Sequence, residues 1–104
     1  MKLPFDLNTT MDNDITKSKF HLGQLLATPN ALSKIPNEDI QTALARHSRE
    51  DWGDVCPEDW KANDHALKTE RRLLSAYRST EGVKFWIITE SDRSVTTVLL
   101  PEDY

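Results

Sequence analysis

Apolar residues recur at every second position along the last third of the chain and at every third or fourth position through its middle. The period changes near Arg71, which divides the sequence into a helical part and a sheet part. Residues 71–78, 83–89 and 94–100 read as β-strands. The four-residue segments 79–82 and 90–93 between them have the length of hairpin loops, so the three runs predict an antiparallel meander. With loops of that length, Ala76 falls opposite Phe85 and Leu74 opposite Ile87, while Phe85 and Ile87 face Val98 and Thr96. Those six residues form the expected core face. Leu73, Ser75, Tyr77, Trp86, Ile88, Glu90, Val95, Thr97 and Leu99 then share the opposite face. That face is either a second surface covered by the N-terminal strand or arm, or a place where a ligand sits.

Upstream, residues 19–27 alternate and suit a strand leading into the domain. Thr28 before Pro29 has the form of an N-cap and first helical residue, opening a short helix through Lys34 that Pro36 terminates. Asn37 is placed to cap a second helix with Glu38 and Asp39 in its first turn. Ile40, Ala43, Leu44 and His47 recur on one face of it, and it is expected to end near Ser48. Residues 49–56 read as a loop with Trp52 plugged into the core. Pro57, Glu58 and Asp59 open a third helix, with Trp60, Asn63 and Leu67 on one side, fading at Thr69. The whole is an α+β domain over residues 19–104: an N-terminal strand and two main helices followed by a three-stranded meander. Residues 1–18 are polar and read as a flexible leader, although Leu3, Phe5 and Leu7 alternate and leave a docked arm or short edge strand open.

Composition narrows the function classes. A length of 104 residues fits one core, and a formal charge of -4 disfavours holding a nucleic-acid backbone by counterion release. Arg46, Arg49, Lys68, Arg71, Arg72 and Arg78 do gather in the middle third, a distribution that usually marks a solvated face. The one cysteine, Cys56, has no partner for an internal disulfide, and no run approaches the ~18 apolar residues of a membrane span. Asp6, Asp12 and Asp14 replace the apolar core of a signal peptide, so a cytoplasmic protein is expected, with no membrane contact and as a monomer or dimer.

The strong chemical motifs are missing: there is no phosphate-binding glycine loop, no paired CxxC and no HExxH. His47, Asp51, Asp54, Cys56 and His65 match no common zinc spacing, so neither metal nor cofactor is expected. His47 reads as a structural histidine at a helix C-terminus, where its charged form would meet the helix dipole favourably. Residues 89–97 place Glu90, Asp92, Arg93, Thr96 and Thr97 around one hairpin. Either this is a hydrogen-bonded turn in which Arg93 pairs with Glu90 or Asp92, or Arg93 and a threonine bind a phosphate.

The segments HLGQLLATPNAL, ARHSREDWGDVCPEDWKAND and RLLSAYRSTEGVKFWIITESDRSVTTVLLPEDY resemble a family of short bacterial proteins of unassigned function. Its members are labelled plasmid-related proteins and are sometimes tagged as type I restriction endonuclease subunits. The resemblance, whose family label points to plasmids, implies no established activity and carries over no catalytic residue. The order of elements is separately similar to the RelE/ParE toxins and barnase-like ribonucleases, an analogy of fold alone.

Two functions follow from these observations. In the first, the chain is a non-catalytic accessory factor that binds another protein through Trp52, Tyr77, Trp86, Glu90 and Arg93. In the second it cleaves or binds RNA. His47 is then acid or base, Arg93 steadies the phosphate, and Tyr77 or Thr96 orients the attacking hydroxyl.

Overall fold

The computed structural model describes residues 19–104, and the leader or arm expected over residues 1–18 lies outside them. The fold is α+β. In chain order it runs β1 (Gln24–Ala27), α1 (Pro29–Lys34), α2 (Asn37–Ser48), α3 (Pro57–Thr69), β2 (Leu73–Arg78), β3 (Lys84–Thr89) and β4 (Val95–Leu99), closing with a 3-10 turn at Pro101–Asp103. The four strands form one mixed sheet in the order β1-β4-β3-β2, with the meander antiparallel and β1 parallel to β4. A parallel neighbour needs a crossover, and the three helices and two strands between β1 and β4 supply it.

Local chemistry explains each helix boundary. Thr28 Oγ1 accepts the Ala31 N–H at 3.1 Å and Pro29 holds the first helical position. The same hydroxyl donates to Asp103 Oδ2 at 2.6 Å, which ties the chain's last turn to the start of α1. Pro36 occupies the N-cap of α2, and Asn37, expected there, is its first helical residue, because Pro36 already has the extended backbone that a cap requires. Asp39 in that first turn accepts the Thr80 N–H and hydroxyl at 2.9 and 3.0 Å, anchoring the β2–β3 loop to α2. α3 begins at Pro57 and ends as Glu70 turns left-handed.

The expected register is corrected in both hairpins. Tyr77 pairs with Phe85, Ser75 with Ile87 and Leu73 with Thr89. The loop is one residue longer than expected: Ser79 N–H donates to Val83 O, and Ser79 Oγ accepts from the Glu81 and Val83 N–H groups inside the turn. A slip of one residue exchanges the faces of a strand. Leu73, Ser75 and Tyr77 therefore point into the core, while Leu74 and Ala76 take the far face. In the second hairpin Ile87 pairs with Val98 and Thr89 with Thr96. That slip is of two residues, which preserves the faces, so Thr96 and Val98 stay inward.

Helices α1 and α2 lie on this inner face. Ala31, Ile40, Ala43 and Leu44 pack there with Tyr77, Phe85, Ile87 and Val98. α3 stands beside the outer edge of β2. Asn63 brackets Leu74 by donating to its carbonyl at 2.7 Å and accepting its N–H at 3.2 Å. The 49–56 loop closes the rest of that edge, since Ala76 N–H donates to Trp52 O and Asp54 N–H donates to Ala76 O. An edge strand paired in this way offers no template to another chain.

The close approach depends on Gly53, whose φ is 76° and whose missing Cβ would sit 2.0 Å from Ala76 O. Gly82 also has positive φ, 83°, but nothing lies within 4 Å of its Cβ position. Gly82→Ala is expected to cost about 1 kcal/mol from backbone conformation alone, and Gly53→Ala more than about 3 kcal/mol because strain and clash add. Urea unfolding of the two variants side by side checks this; equal losses would mean that the loop yields at Gly53.

Candidate functional site

Ser75, His47 and Thr96, all named from sequence, come together in the interior with Thr89. Ser75 Oγ lies 2.5 Å from His47 Nδ1, His47 Nε2 lies 2.8 Å from Thr89 Oγ1, and Thr89 Oγ1 lies 2.8 Å from Thr96 Oγ1. Thr96 then donates to the carbonyl of Leu22 at 2.6 Å. A carbonyl only accepts, so it fixes every proton behind it. With its proton on Leu22 O, Thr96 accepts from Thr89. Thr89, having donated, accepts from His47. His47 is therefore the Nε2–H tautomer, and its bare Nδ1 accepts from Ser75. The chain of bonds thus fixes the proton on Nε2, and Ser75, whose hydroxyl both donates and accepts, serves the neutral ring as the donor to Nδ1.

Burial keeps the ring neutral. His47 is fully enclosed, and desolvation together with the positive charge of Arg93 lowers its pKa to about 3. The expectation of a structural histidine holds, but its charged form does not: a neutral ring occupies the end of α2. Phe20 and Trp52 seal it edge-on, each with its ring centroid 5.5 Å from the imidazole.

The remaining candidates also serve the fold. Arg93, with φ of 60°, directs its guanidinium to the carbonyls of Arg71 at 2.7 Å, Glu90 at 3.0 Å and Ala66 at 3.2 Å. It joins the β3–β4 loop to the C-terminal end of α3, where the helix dipole favours a cation. The expected pairing with the carboxylate of Glu90 or Asp92 gives way to backbone acceptors. Glu90 turns to Arg72 at 3.8 Å, and Asp92 caps the Ser94 N–H and hydroxyl. Tyr77 is buried, donates to Asp51 O at 2.6 Å and carries the Arg46 guanidinium 4.8 Å from its ring centre; burial raises its phenol pKa. Trp52, named as a contact residue, is fully enclosed and donates to Asp64 at 3.0 Å. His47, Tyr77, Arg93 and Thr96 thus meet in no open cleft.

Open space lies instead on the far side of the sheet and along its sealed edge. A groove of about 460 Å³ is lined by Asp54, Ala76, Tyr77, Arg78, Lys84 and Trp86. Ala76 lies directly across from Trp86, and its short side chain leaves the indole uncovered on that side. Tyr104 packs against Trp86 at 5.7 Å and is itself held by Arg72. A second hollow of about 390 Å³ follows, lined by Gly53, Val55, Pro57, Trp60 and Lys61. Asp54 lines the first and Gly53, its neighbour in the chain, lines the second. Of the contact residues expected from sequence, Tyr77 and Trp86 line the first hollow and none lines the second. Arg78, Lys84 and Trp60 carry no sign of this role in the sequence, because their placement depends on the register of one hairpin and on the path of the 49–56 loop.

Arg78 and Lys84 are paired directly opposite each other across β2 and β3. Like charges in that position repel. Asp54 is the acid nearest Arg78, at 3.9 Å, and Lys84 has no acidic partner among the described residues. Also among the described residues, no three His, Cys, Asp or Glu side chains are placed to hold a metal ion, and no helix is long and apolar enough to cross a membrane. Set against models of protein families, curated proteins and solved structures, the chain matches none of them.

The neutral histidine yields a pH signature. Its folded pKa is depressed below the ordinary value of 6.5, so the unfolded chain binds a proton that the native state refuses. Stability is complete above pH 6.5 and is lost as pH falls towards 3, by roughly 1.4 kcal/mol per unit. Asp51, Asp92 and Asp103, each held below its ordinary value of 3.8 by hydrogen bonds, add losses as pH falls through that value, at the lower end of this window and below it. In His47→Gln the slope between pH 6.5 and 4.5 is expected to flatten in urea titrations, at lower stability throughout. An unchanged slope would assign the proton uptake to another group.

Proposed function

We propose that this chain is a non-catalytic binding protein that acts through contact with another protein. The contact surface is the groove around Trp86, Lys84 and Arg78 together with the hollow at Trp60. The observation that carries this reading is the opposed Arg78–Lys84 pair beside a half-buried tryptophan. Here the sequence places a repulsive contact next to an aromatic side chain of the kind that dominates protein interfaces. The resemblance of the C-terminal run to plasmid-related proteins supports a setting in mobile DNA, as an accessory factor of a plasmid or phage.

An RNA-cleaving reading draws on His47, Tyr77, Arg93 and Thr96. Each of these has its polar atoms engaged in the interior or on backbone carbonyls, which favours the binding reading over it.

Lys84→Glu separates binding from folding. It places an acid opposite Arg78 and removes the repulsion, so its melting temperature is expected to be unchanged or slightly raised. In pull-downs from a native host lysate treated with nuclease, the wild-type chain is expected to retain a stoichiometric protein partner. Lys84→Glu and Trp86→Ala are expected to lose most of it. Equal retention by all three would place the contact elsewhere and overturn the reading.

A further inference from the structure

We infer that the partner presents an acidic segment with a single apolar or aromatic anchor, the anchor entering the hollow at Trp60 and the acids lying over Lys84 and Arg78. This rests on the binding role proposed above and adds the chemistry of what is bound. Three observations on different residues lead to it.

The first is charge. In a chain of net charge -4, the two hollows bring together Arg78, Lys84 and Lys61 against the single acid Asp54. Neither Lys84 nor Lys61 has an ion-pair partner among the described residues. Arg78 and Lys84 gain from any anion set between them, because it relieves a repulsion that the strand register enforces.

The second is the division of the surface. Val55, Pro57 and the half-buried Trp60 give the second hollow an apolar lining with a lysine at its rim, and Ala76 and Trp86 floor the first. An anchor of one kind and charges of the other, a few residues apart, match this spacing of chemistry in a way that a uniformly charged strand does not. A nucleic acid would meet two cations with a carboxylate beside them and the negative field of the whole chain behind.

The third is that the β2 edge is closed. Asn63, Trp52 and Asp54 engage the backbone groups of Leu74 and Ala76 that an added strand would need. At this edge the partner is therefore recognised by its side chains, in the groove, and not by strand addition.

Fluorescence anisotropy on the full chain tests the inference. The probes are a labelled peptide with one phenylalanine followed by a run of glutamates, the same peptide with lysines for glutamates, the same with serine for the anchor, and a short single-stranded RNA. The acidic anchored peptide is expected to bind. Its affinity should fall roughly tenfold in Lys84→Glu, as for loss of one charged contact, and also when the anchor is removed or Val55 is changed to Asp. Each variant is first checked for a native melting transition. Preference for the lysine peptide or for RNA, or anchored binding that ignores Lys84→Glu, would overturn the inference. So would a concentration-dependent dimer that Lys84→Glu dissolves, since a second copy would then fill the groove. If no peptide binds while the pull-down partner is still lost in Lys84→Glu, the acidic chemistry is wrong and the binding role stands. If the pull-down partner also ignores Lys84→Glu and Trp86→Ala, both fail.

Discussion

The ordered hydrogen bonds running from Ser75 through His47, Thr89 and Thr96 to the Leu22 carbonyl hold this fold in one arrangement. They connect α2, all three strands of the meander and the segment entering β1, in a region where an unpaired polar group costs about 1–3 kcal/mol. Each member is satisfied only if every other is in place. No buried side-chain nitrogen or oxygen among the described residues lacks a partner. Such a network allows one register of β2, because a slip of one residue would remove Ser75 and leave His47 Nδ1 facing an apolar side chain.

That register also shapes the surface. Turning Leu73, Ser75 and Tyr77 inward sends Leu74, Ala76 and Arg78 outward, which places a small residue beside Trp86 and a cation beside Lys84. The 49–56 loop then closes the β2 edge, with Trp52 buried and Gly53 against Ala76, and it contributes Asp54 to one hollow and Gly53 and Val55 to the other. Core and groove are two consequences of one pairing.

A division of labour follows among the polar residues. Those that look most chemical in the sequence, His47, Arg93 and Thr96, have geometries that serve structure: a fixed tautomer, a guanidinium on carbonyls, a hydroxyl on a carbonyl. Arg78, Lys84 and Lys61 look like ordinary solvated cations, yet they surround the open space. Commitment to internal partners, more than residue type, separates the two groups.

The α+β class, the bounds of the helices, the Thr28–Pro29 start of α1, the burial of Trp52 and the run of three strands were all legible in the sequence. Each is decided by contacts within a few residues or by a hydrophobic period. The parity of β2, the parallel pairing of β1 with β4, the neutral state of His47 and the meeting of Trp86 with Arg78, Lys84 and Asp54 were decided by tertiary structure. Parity turns on one loop residue, held by Ser79 bonding inside its own turn, and alternation alone carries no sign of which face is inward. The protonation state and the groove depend on groups up to dozens of positions apart, such as Leu22 and Thr96, or Asp54 and Lys84, whose proximity exists only once the chain has folded.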